Sequence, residues 1–213
     1  MRNYVAEFIG TFIMVFCGTG AVTIDQQSGG IVTHAGISLT FGLVVMSMIY
    51  CFGNISGAHI NPAVSIAFTI AKRFPAKWLP GYLTAQFSGA LLASFILKLL
   101  FPSNQLLGAT MPAGSEMQSF FLEIILTFIL MLAALLLADG GKERSLLAGL
   151  AIGAIVGLEA LFAGPISGAS MNPVRSIAPA IASGHLEHVW IYLLAPVVGA
   201  VFAVPVWKYL SLK

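Results

Sequence analysis

The sequence predicts an all-α membrane protein, in which six transmembrane helices and two re-entrant half-helices form an inverted repeat. Three observations support this prediction: the composition, six apolar runs of membrane-spanning length, and one sequence pattern that occurs twice. Of the 213 residues, 58% are hydrophobic and 8% are charged, which leaves too few charges to cover a soluble domain. The bilayer is the solvent that fits this composition.

Six apolar stretches come close to the roughly 20 residues that a helix needs to cross the hydrocarbon core. Strands are not expected, because a membrane barrel requires alternating polarity and these runs are continuously apolar. The predicted spans are residues 5–24, 35–53, 78–101, 120–138, 145–163 and 189–206.

The basic residues favour one side of this six-span arrangement, the side that also holds both chain ends. Cytoplasmic loops carry an excess of Lys and Arg, so both termini are predicted to be cytoplasmic in a plasma membrane. The short termini and loops favour a bacterial inner membrane. The basic residues on the predicted cytoplasmic side are Arg2, Lys72, Arg73, Lys77, Lys142, Arg144, Lys208 and Lys213. Lys98 and Arg175 are the two basic residues that do not lie on that side.

Two patterns occur once in each half of the chain. Residues 7–12 are echoed by residues 123–128, and residues 55–62 by residues 166–173. Each copy contains three spans, an odd number, so the second copy must be inverted relative to the first. The expected units are a single domain, 1–213, and its repeats, roughly 1–115 and 116–213.

A short apolar stretch follows the second span and another follows the fifth, and in each an Asn precedes a Pro. Asn suits a helix N-cap and Pro suits the first helical position. The first of these helices, ending near Ala71, would be roughly 16 Å long at 1.5 Å per residue, about half the hydrocarbon thickness. The two motifs are Asn61-Pro62-Ala63 and Asn172-Pro173-Val174.

Inverted symmetry would bring both half-helix N-termini to the bilayer midplane, where their partial positive charges oppose cations. An Asn whose oxygen caps its own helix keeps an amide NH₂ that can donate into a pore. The irregular backbone before each cap is tolerable at this depth only where its carbonyls line a wet cavity. The predicted pore-lining loop residues are Gly57, Ala58, His59, Ile60, Gly168, Ser170 and Met171.

Residues 56–64 and 168–176 resemble the two signatures of the aquaporin, or major intrinsic protein, family. The resemblance covers the whole chain and implies an aquaporin-like fold that passes water and small uncharged solutes passively. Val174 replaces the family's usual Ala, a change expected to alter packing rather than remove the pore. Residues 162–173 resemble the nodulin-like intrinsic proteins and their bacterial relatives, which pass glycerol and neutral metalloid acids such as arsenous acid.

The resemblance also implies a selectivity filter near the outer face. Strict water channels of the family carry His at the position of Ala160, so the filter is expected to be wider and less polar here. Glu7 and Glu123 are expected, by the same resemblance, to brace the re-entrant loops through hydrogen bonds to the backbone. A homotetramer in the lipid bilayer is likewise implied. The filter residues that the resemblance indicates are Phe41, Ala160, Ala169 and Arg175.

Glu159, beside Ala160, belongs to neither family signature and to none of the filter positions. We expect its carboxylate to accept hydrogen bonds from the second re-entrant loop, with a direct role in shaping the mouth or binding a solute as the alternative.

Other functions remain open. A strictly water-selective channel is one alternative. A secondary transporter is another, although it normally requires ion-binding side chains at the midplane, where this chain offers amides. An enzyme is not expected, because the sequence contains no nucleophile–base pair, phosphate loop or metal-ligand spacing. No cofactor, metal site or nucleic-acid partner is expected.

Overall fold

The computed structural model describes residues 1–139 and 142–211, all of whose regular structure is helical. The side chains of Lys142, Arg144 and Lys213, three of the residues used to predict the orientation, lie outside the described part. The helices are α1 (Arg2–Gln27), α2 (Thr33–Ser56), α3 (Pro62–Ile70), α4 (Leu79–Leu100), α5 (Glu116–Ala138), α6 (Lys142–Ser167), α7 (Pro173–Ser183) and α8 (Val189–Leu210).

Six of these helices are long and apolar enough to cross a membrane, which confirms the predicted fold class. They are α1, α2, α4, α5, α6 and α8, and α3 and α7 are the two half-helices. Five of the six long helices extend beyond their predicted apolar runs, because polar residues continue the helix at one or both ends, whereas α4 is one residue shorter at each end than the predicted 78–101. Ser115, for example, caps α5 by accepting a hydrogen bond from the backbone N–H of Gln118 at 3.1 Å.

The two halves of the chain use the same helix contacts. α1 packs on α4 in the first half, and α5 packs on α8 in the second. In each pair a glycine lies against the backbone of the partner helix. A Cβ on Gly89 would lie 2.3 Å from the carbonyl oxygen of Phe8, and one on Gly199 would lie 2.2 Å from that of Ile124. Small residues of this kind allow membrane helices to approach closely.

α2 and α6 join the two halves through a third glycine contact. A Cβ on Gly42 would lie 2.8 Å from the carbonyl oxygen of Gly153. Large apolar side chains cover the opposite, exposed faces of the helices, as lipid contact requires; examples are Leu39, Leu43, Leu99, Phe121, Leu158 and Phe162.

Replacing Gly89 or Gly199 with Ala is expected to lower the melting temperature of the protein in detergent. An added Cβ would collide with a backbone oxygen, which cannot move as a side chain can, and such overpacking costs about 1–3 kcal/mol. Gly53→Ala is the control, because the nearest atom to its Cβ lies 4.0 Å away. Equal melting temperatures for all three variants would contradict the close-contact interpretation.

Candidate functional site

The half-helices α3 and α7 begin at the two Asn-Pro motifs. The Asn61 Oδ1 accepts a hydrogen bond from the Ala63 backbone N–H at 2.9 Å, and the Asn172 Oδ1 accepts one from Val174 at 3.1 Å. Both Asn residues have extended backbone, and a Pro occupies the first helical position after each. The local cap chemistry of the sequence is therefore sufficient to start both helices.

The two Asn side chains also connect the two loops to each other. The Asn61 amide donates to the Met171 carbonyl oxygen at 2.7 Å, and the Asn172 amide donates to the Ile60 carbonyl oxygen at 2.9 Å. The sequence predicted that the side-chain NH₂ of each Asn would be free to donate into the pore. In the structure, one hydrogen of each NH₂ is used in these crossed hydrogen bonds. The second hydrogen of Asn61 can face a solute, whereas the Asn172 amide also lies 3.8 Å from the weakly accepting Met14 sulfur.

The backbone before each cap adopts the same unusual conformation in both loops. Ala58 and Ile60 have φ of 47° and 44°, and Ala169 and Met171 have φ of 43° and 53°. Left-handed conformations of non-glycine residues cost about 1–2 kcal/mol each. They therefore require strong local support.

Glu7 of α1 supplies this support in the first half. Its Oε1 accepts hydrogen bonds from the Ser56 hydroxyl at 2.7 Å and the His59 backbone N–H at 2.9 Å. Its Oε2 accepts from the Ile60 backbone N–H at 2.7 Å and the Gln86 amide at 2.8 Å. Sequence reasoning missed Gln86, although a polar residue inside a span is itself a signal of function or support.

Glu123 of α5 makes the equivalent bonds in the second half. Its Oε1 accepts from the Ser167 hydroxyl at 2.7 Å and the Ser170 backbone N–H at 2.8 Å. Its Oε2 accepts from the Met171 backbone N–H at 2.8 Å. Both glutamates are fully buried, so each is a buried acceptor that is satisfied by loop donors.

A cavity of about 310 Å³ runs from the end of α2 to Arg175 and lies against both loops. Many of the predicted site residues line it: Phe41, Gly57, Ala58, His59, Ile60, Asn61, Ala169, Ser170, Met171, Asn172 and Arg175. The rest of its wall is mostly apolar. Sequence reasoning did not identify the helical part of this wall, which includes Met14, Val45, Ile49, Ile152 and Val156.

The remaining predicted residues lie outside the cavity lining. Pro62, Ala63, Pro173 and Val174 are buried in the first turns of the half-helices. Gly168 has a φ of 83° and packs against Thr110, whose Cγ2 a Cβ at this position would approach to 2.9 Å. Ala160 belongs to the same apolar cluster as Phe41 and Ala169. These three positions of the proposed filter thus occupy one neighbourhood, and Arg175 joins it through its contact with the Phe41 ring.

Arg175 is held in place from two sides. Its guanidinium carbon lies 4.7 Å from the centre of the Phe41 ring, a cation–π contact. Its Nη1 donates to the Gly108 carbonyl oxygen at 2.8 Å, in the loop between α4 and α5. The Phe41 ring in turn rests on Gly18 of α1, where an added Cβ would lie 2.2 Å from the ring. Neither Gly18 nor Gly108 was identified from the sequence.

His59 and Ser170 occupy equivalent positions, two residues before each cap. The His59 Nδ1 lies 3.0 Å from the Ser65 hydroxyl, and its ring stacks on Phe68 with the centroids 5.0 Å apart. The Ser170 hydroxyl lies 2.5 Å from that of Ser176. Each side chain is therefore tied to the half-helix that follows it. Within residues 1–139 and 142–211, no cluster of three His, Cys, Asp or Glu side chains could hold a metal ion.

The expectation that Glu159 bonds to the second loop is wrong. Neither carboxyl oxygen has a hydrogen-bond partner among the described residues, although the side chain is only 1% exposed. The reason is that the loop has no backbone donor to spare. Its N–H groups are taken in turn by the carbonyl oxygen of Gly164, the Ser167 hydroxyl, both Glu123 oxygens and the Ser170 hydroxyl.

Comparisons with known proteins agree with this geometry. A family model described as Major intrinsic protein matches residues 1–207. Aquaporin NIP1-1 of Zea mays is 47% identical over 210 residues, which cover 98% of this chain and 74% of the relative. Nodulin-26 of Glycine max is 41% identical over 98% of this chain and 77% of its own length. The X-ray structure of the aquaglyceroporin from Plasmodium falciparum superposes with a TM-score of 0.87 at 30% identity, covering 97% of this chain and 95% of that one.

Replacing Glu123 with Ala is expected to destabilise the protein and abolish solute flux. Three buried donors would lose their acceptor, at about 1–3 kcal/mol each, and the strained loop would lose its support. Melting temperature in detergent and flux in proteoliposomes are the measurements. Glu116→Ala, on the same helix, is the matched control, because that half-exposed carboxylate pairs with His188 near the surface and such pairs contribute little. A Glu123 variant as stable as the control would contradict this role.

Proposed function

The chain belongs to the major intrinsic protein family of membrane channels, and on that premise we propose that it conducts water and small uncharged solutes passively through the cavity between its two half-helices. It is a multi-pass membrane protein and not an enzyme. The observation that carries the proposal is the pair of crossed hydrogen bonds at Asn61 and Asn172, which set two capped half-helix N-termini against one cavity.

The electrostatics of this cavity favour neutral solutes. Two half-helix N-termini, each equivalent to roughly half a positive charge, meet at its centre. Among the described lining residues, Arg175 is the one side chain with a permanent charge, and it is positive as well. A cation entering the cavity would meet repulsion without a compensating carboxylate. A neutral molecule can exchange its hydrogen bonds with water for those of loop carbonyls and Asn amides.

We further propose that Phe41, Ala160, Ala169 and Arg175 form the selectivity filter and that it admits glycerol and neutral metalloid acids such as arsenous acid. The small side chains of Ala160 and Ala169 support this proposal, because they occupy less space in the cluster around Phe41 than a His side chain would. One of the related structures is titled an aquaglyceroporin, and nodulin-26 and the Zea mays aquaporin are among the relatives.

Assembly and orientation are proposed on different grounds. A homotetramer is implied by the family, and the exposed apolar helix faces are compatible with lipid or with a second copy. A native mass in mild detergent tests it.

Both termini are proposed to be cytoplasmic, in a plasma membrane that is bacterial or otherwise. The reason is that most basic residues of the sequence lie on the same side of the membrane as the two termini. Labelling of engineered terminal cysteines in intact cells tests this orientation.

Stopped-flow light scattering on proteoliposomes, with water, glycerol and arsenous acid in parallel, tests the function. A channel gives fluxes that rise linearly with concentration, whereas a secondary transporter saturates and depends on an ion gradient. A strictly water-selective channel passes water alone. Osmotic water flux no faster than that of empty liposomes would overturn the proposal.

Arg175→Val is expected to increase the leak of protons or cations while water conduction continues. The change removes the positive charge beside the half-helix N-termini, which is one part of the electrostatic barrier. A pH-sensitive dye inside proteoliposomes measures the proton leak under an applied pH gradient. Lys98→Val is the matched control, because it also removes one positive charge, in this case from the long helix α4, but Lys98 is exposed, donates to the Ala182 carbonyl oxygen and does not line the cavity. An unchanged leak in the Arg175 variant would place the barrier wholly at the two Asn residues.

Ala160→His is expected to reduce glycerol and arsenous acid flux much more than water flux. An imidazole beside Phe41 would narrow the filter and add a donor that water can use, whereas a larger solute would clash with a tightly packed wall. Permeabilities of the three solutes, compared at matched protein density, measure the effect. Equal fractional losses for all three would contradict the proposed filter.

A further inference from the structure

α6 contains a proline near its C-terminal end, and this proline leaves one backbone carbonyl without its helical donor. Pro165 lies inside the helix and has no backbone N–H. The carbonyl oxygen of Leu161, four residues earlier, therefore cannot accept the usual hydrogen bond of an α-helix. An unpaired carbonyl is costly in a membrane span, and prolines are tolerated there because neighbouring groups supply the missing partner.

His34, in the first turn of α2, supplies that partner. Its Nε2 lies 2.7 Å from the Leu161 carbonyl oxygen. The carbonyl can only accept, so Nε2 carries the hydrogen. Gly164 leaves room for the ring, because a Cβ at that position would lie 2.9 Å from the His34 Cε1. The same turn of α2 is tied to α1, since the Thr33 backbone N–H donates to the Asp25 Oδ1 at 2.8 Å.

The other internal prolines lack such a side-chain donor. α7 and α8 contain three of them, Pro179, Pro196 and Pro205. Among the described residues, no side chain donates to the carbonyl oxygen four residues before any of these three, whereas His34 donates to the one before Pro165. A helix proline in this protein therefore does not by itself require a companion of this kind.

The His34 contact completes a regular series between α2 and α6. The two helices meet at three successive levels, which are one helical turn apart on each helix. The residue pairs at these levels are Gly42 with Gly153, Ser38 with Gly157, and His34 with Leu161. The two glycine levels are close backbone contacts. A hydrogen bond is directional, so the third level resists sliding of one helix along the other.

This register determines where two of the proposed filter residues lie. Phe41 immediately precedes Gly42 on α2, and Ala160 immediately precedes Leu161 on α6. Each is therefore one residue from a contact between the helices, and both belong to one apolar cluster. A shift of α2 along α6 would move the Phe41 ring relative to Ala160.

We propose that His34 is a positioning residue, which replaces the backbone donor that Pro165 lacks and thereby fixes α2 against α6 at the level of the filter. This inference rests on the proposed function, because it concerns the spacing of Phe41 and Ala160. His34 does not line the cavity, so it acts through these residues and not by contact with a solute. Loss of its hydrogen bond makes the spacing variable, which weakens discrimination between solutes by size.

A double-mutant cycle on the melting temperature in detergent tests the pairing of His34 with the freed carbonyl. His34→Leu removes the donor and is expected to lower the melting temperature by roughly 2–6 °C. Pro165→Ala restores a backbone N–H to α6, so His34→Leu is expected to have little effect in that background. Pro205→Ala is the matched control, in whose background His34→Leu keeps its full effect. His34→Gln, whose amide nitrogen can take the place of Nε2, is expected to preserve the melting temperature.

Size discrimination in proteoliposomes tests the positioning role. The ratio of erythritol to glycerol permeability is expected to rise about twofold or more in His34→Leu, because a less fixed filter admits more of the larger polyol. The ratio is expected to return to that of the unmodified protein in His34→Gln and in the double variant with Pro165→Ala. If His34→Leu fails to assemble, Gly164→Ala replaces it, because the added Cβ displaces the imidazole ring.

The two measurements fail in distinguishable ways. An unchanged melting temperature in His34→Leu, or an equal loss with and without Pro165→Ala, would overturn the pairing. A lower melting temperature with an unchanged permeability ratio would overturn the positioning role and leave a structural bond. Absence of glycerol flux through the unmodified protein would overturn the proposed function, while the melting-temperature cycle would still decide whether His34 replaces the donor that Pro165 lacks.

Discussion

The crossed hydrogen bonds between the two Asn amides and the opposite loops are the interaction on which the rest of the channel depends. They fix the distance between two half-helices that arrive from opposite faces and share little other direct contact. Each Asn performs three tasks at once: it caps its own helix, binds the other loop and lines the cavity. The buried glutamates then have one purpose in common, which is to hold the loop backbone in the strained conformation that this contact requires.

Much of the fold follows from local chemistry, and so could be predicted from the sequence. Hydropathy locates the six spans, and an Asn before a Pro specifies where each half-helix begins. The missed features depend on which atoms meet in three dimensions. Gln86 reaches Glu7 across a helix contact, and the Asn amides reach carbonyls more than a hundred residues away. Glu159 was misassigned because a sequence does not reveal that every nearby loop donor is already occupied. The roles proposed for the filter residues stay predictions.

The two halves share a backbone design but differ in the side chains that complete it. The first loop has His59 bonded to Ser65, and Gln86 adds a further donor to Glu7. The second has the smaller Ser170 bonded to Ser176, and Arg175 anchored by the Gly108 carbonyl. Glu7 and Glu123 hold the loops in both halves, whereas His59, Ser170 and Arg175, which differ between the halves, line the cavity. Stability and selectivity are therefore expected to be carried largely by different residues. Selectivity can therefore diverge between relatives without loss of the fold.

Gly18 shows how far this separation extends. It is not among the residues that line the cavity and belongs to a different helix from any of the four proposed filter positions, yet the Phe41 ring occupies the space that a side chain at residue 18 would fill. The width of the proposed filter thus depends partly on α1, because the absence of a side chain at Gly18 allows the Phe41 ring to pack closer to that helix. Two proteins with identical filter residues would therefore differ in pore diameter if one of them had Ala in place of Gly18. A comparison of such channels that uses the four proposed filter residues alone overlooks Gly18, which determines the position of the Phe41 ring.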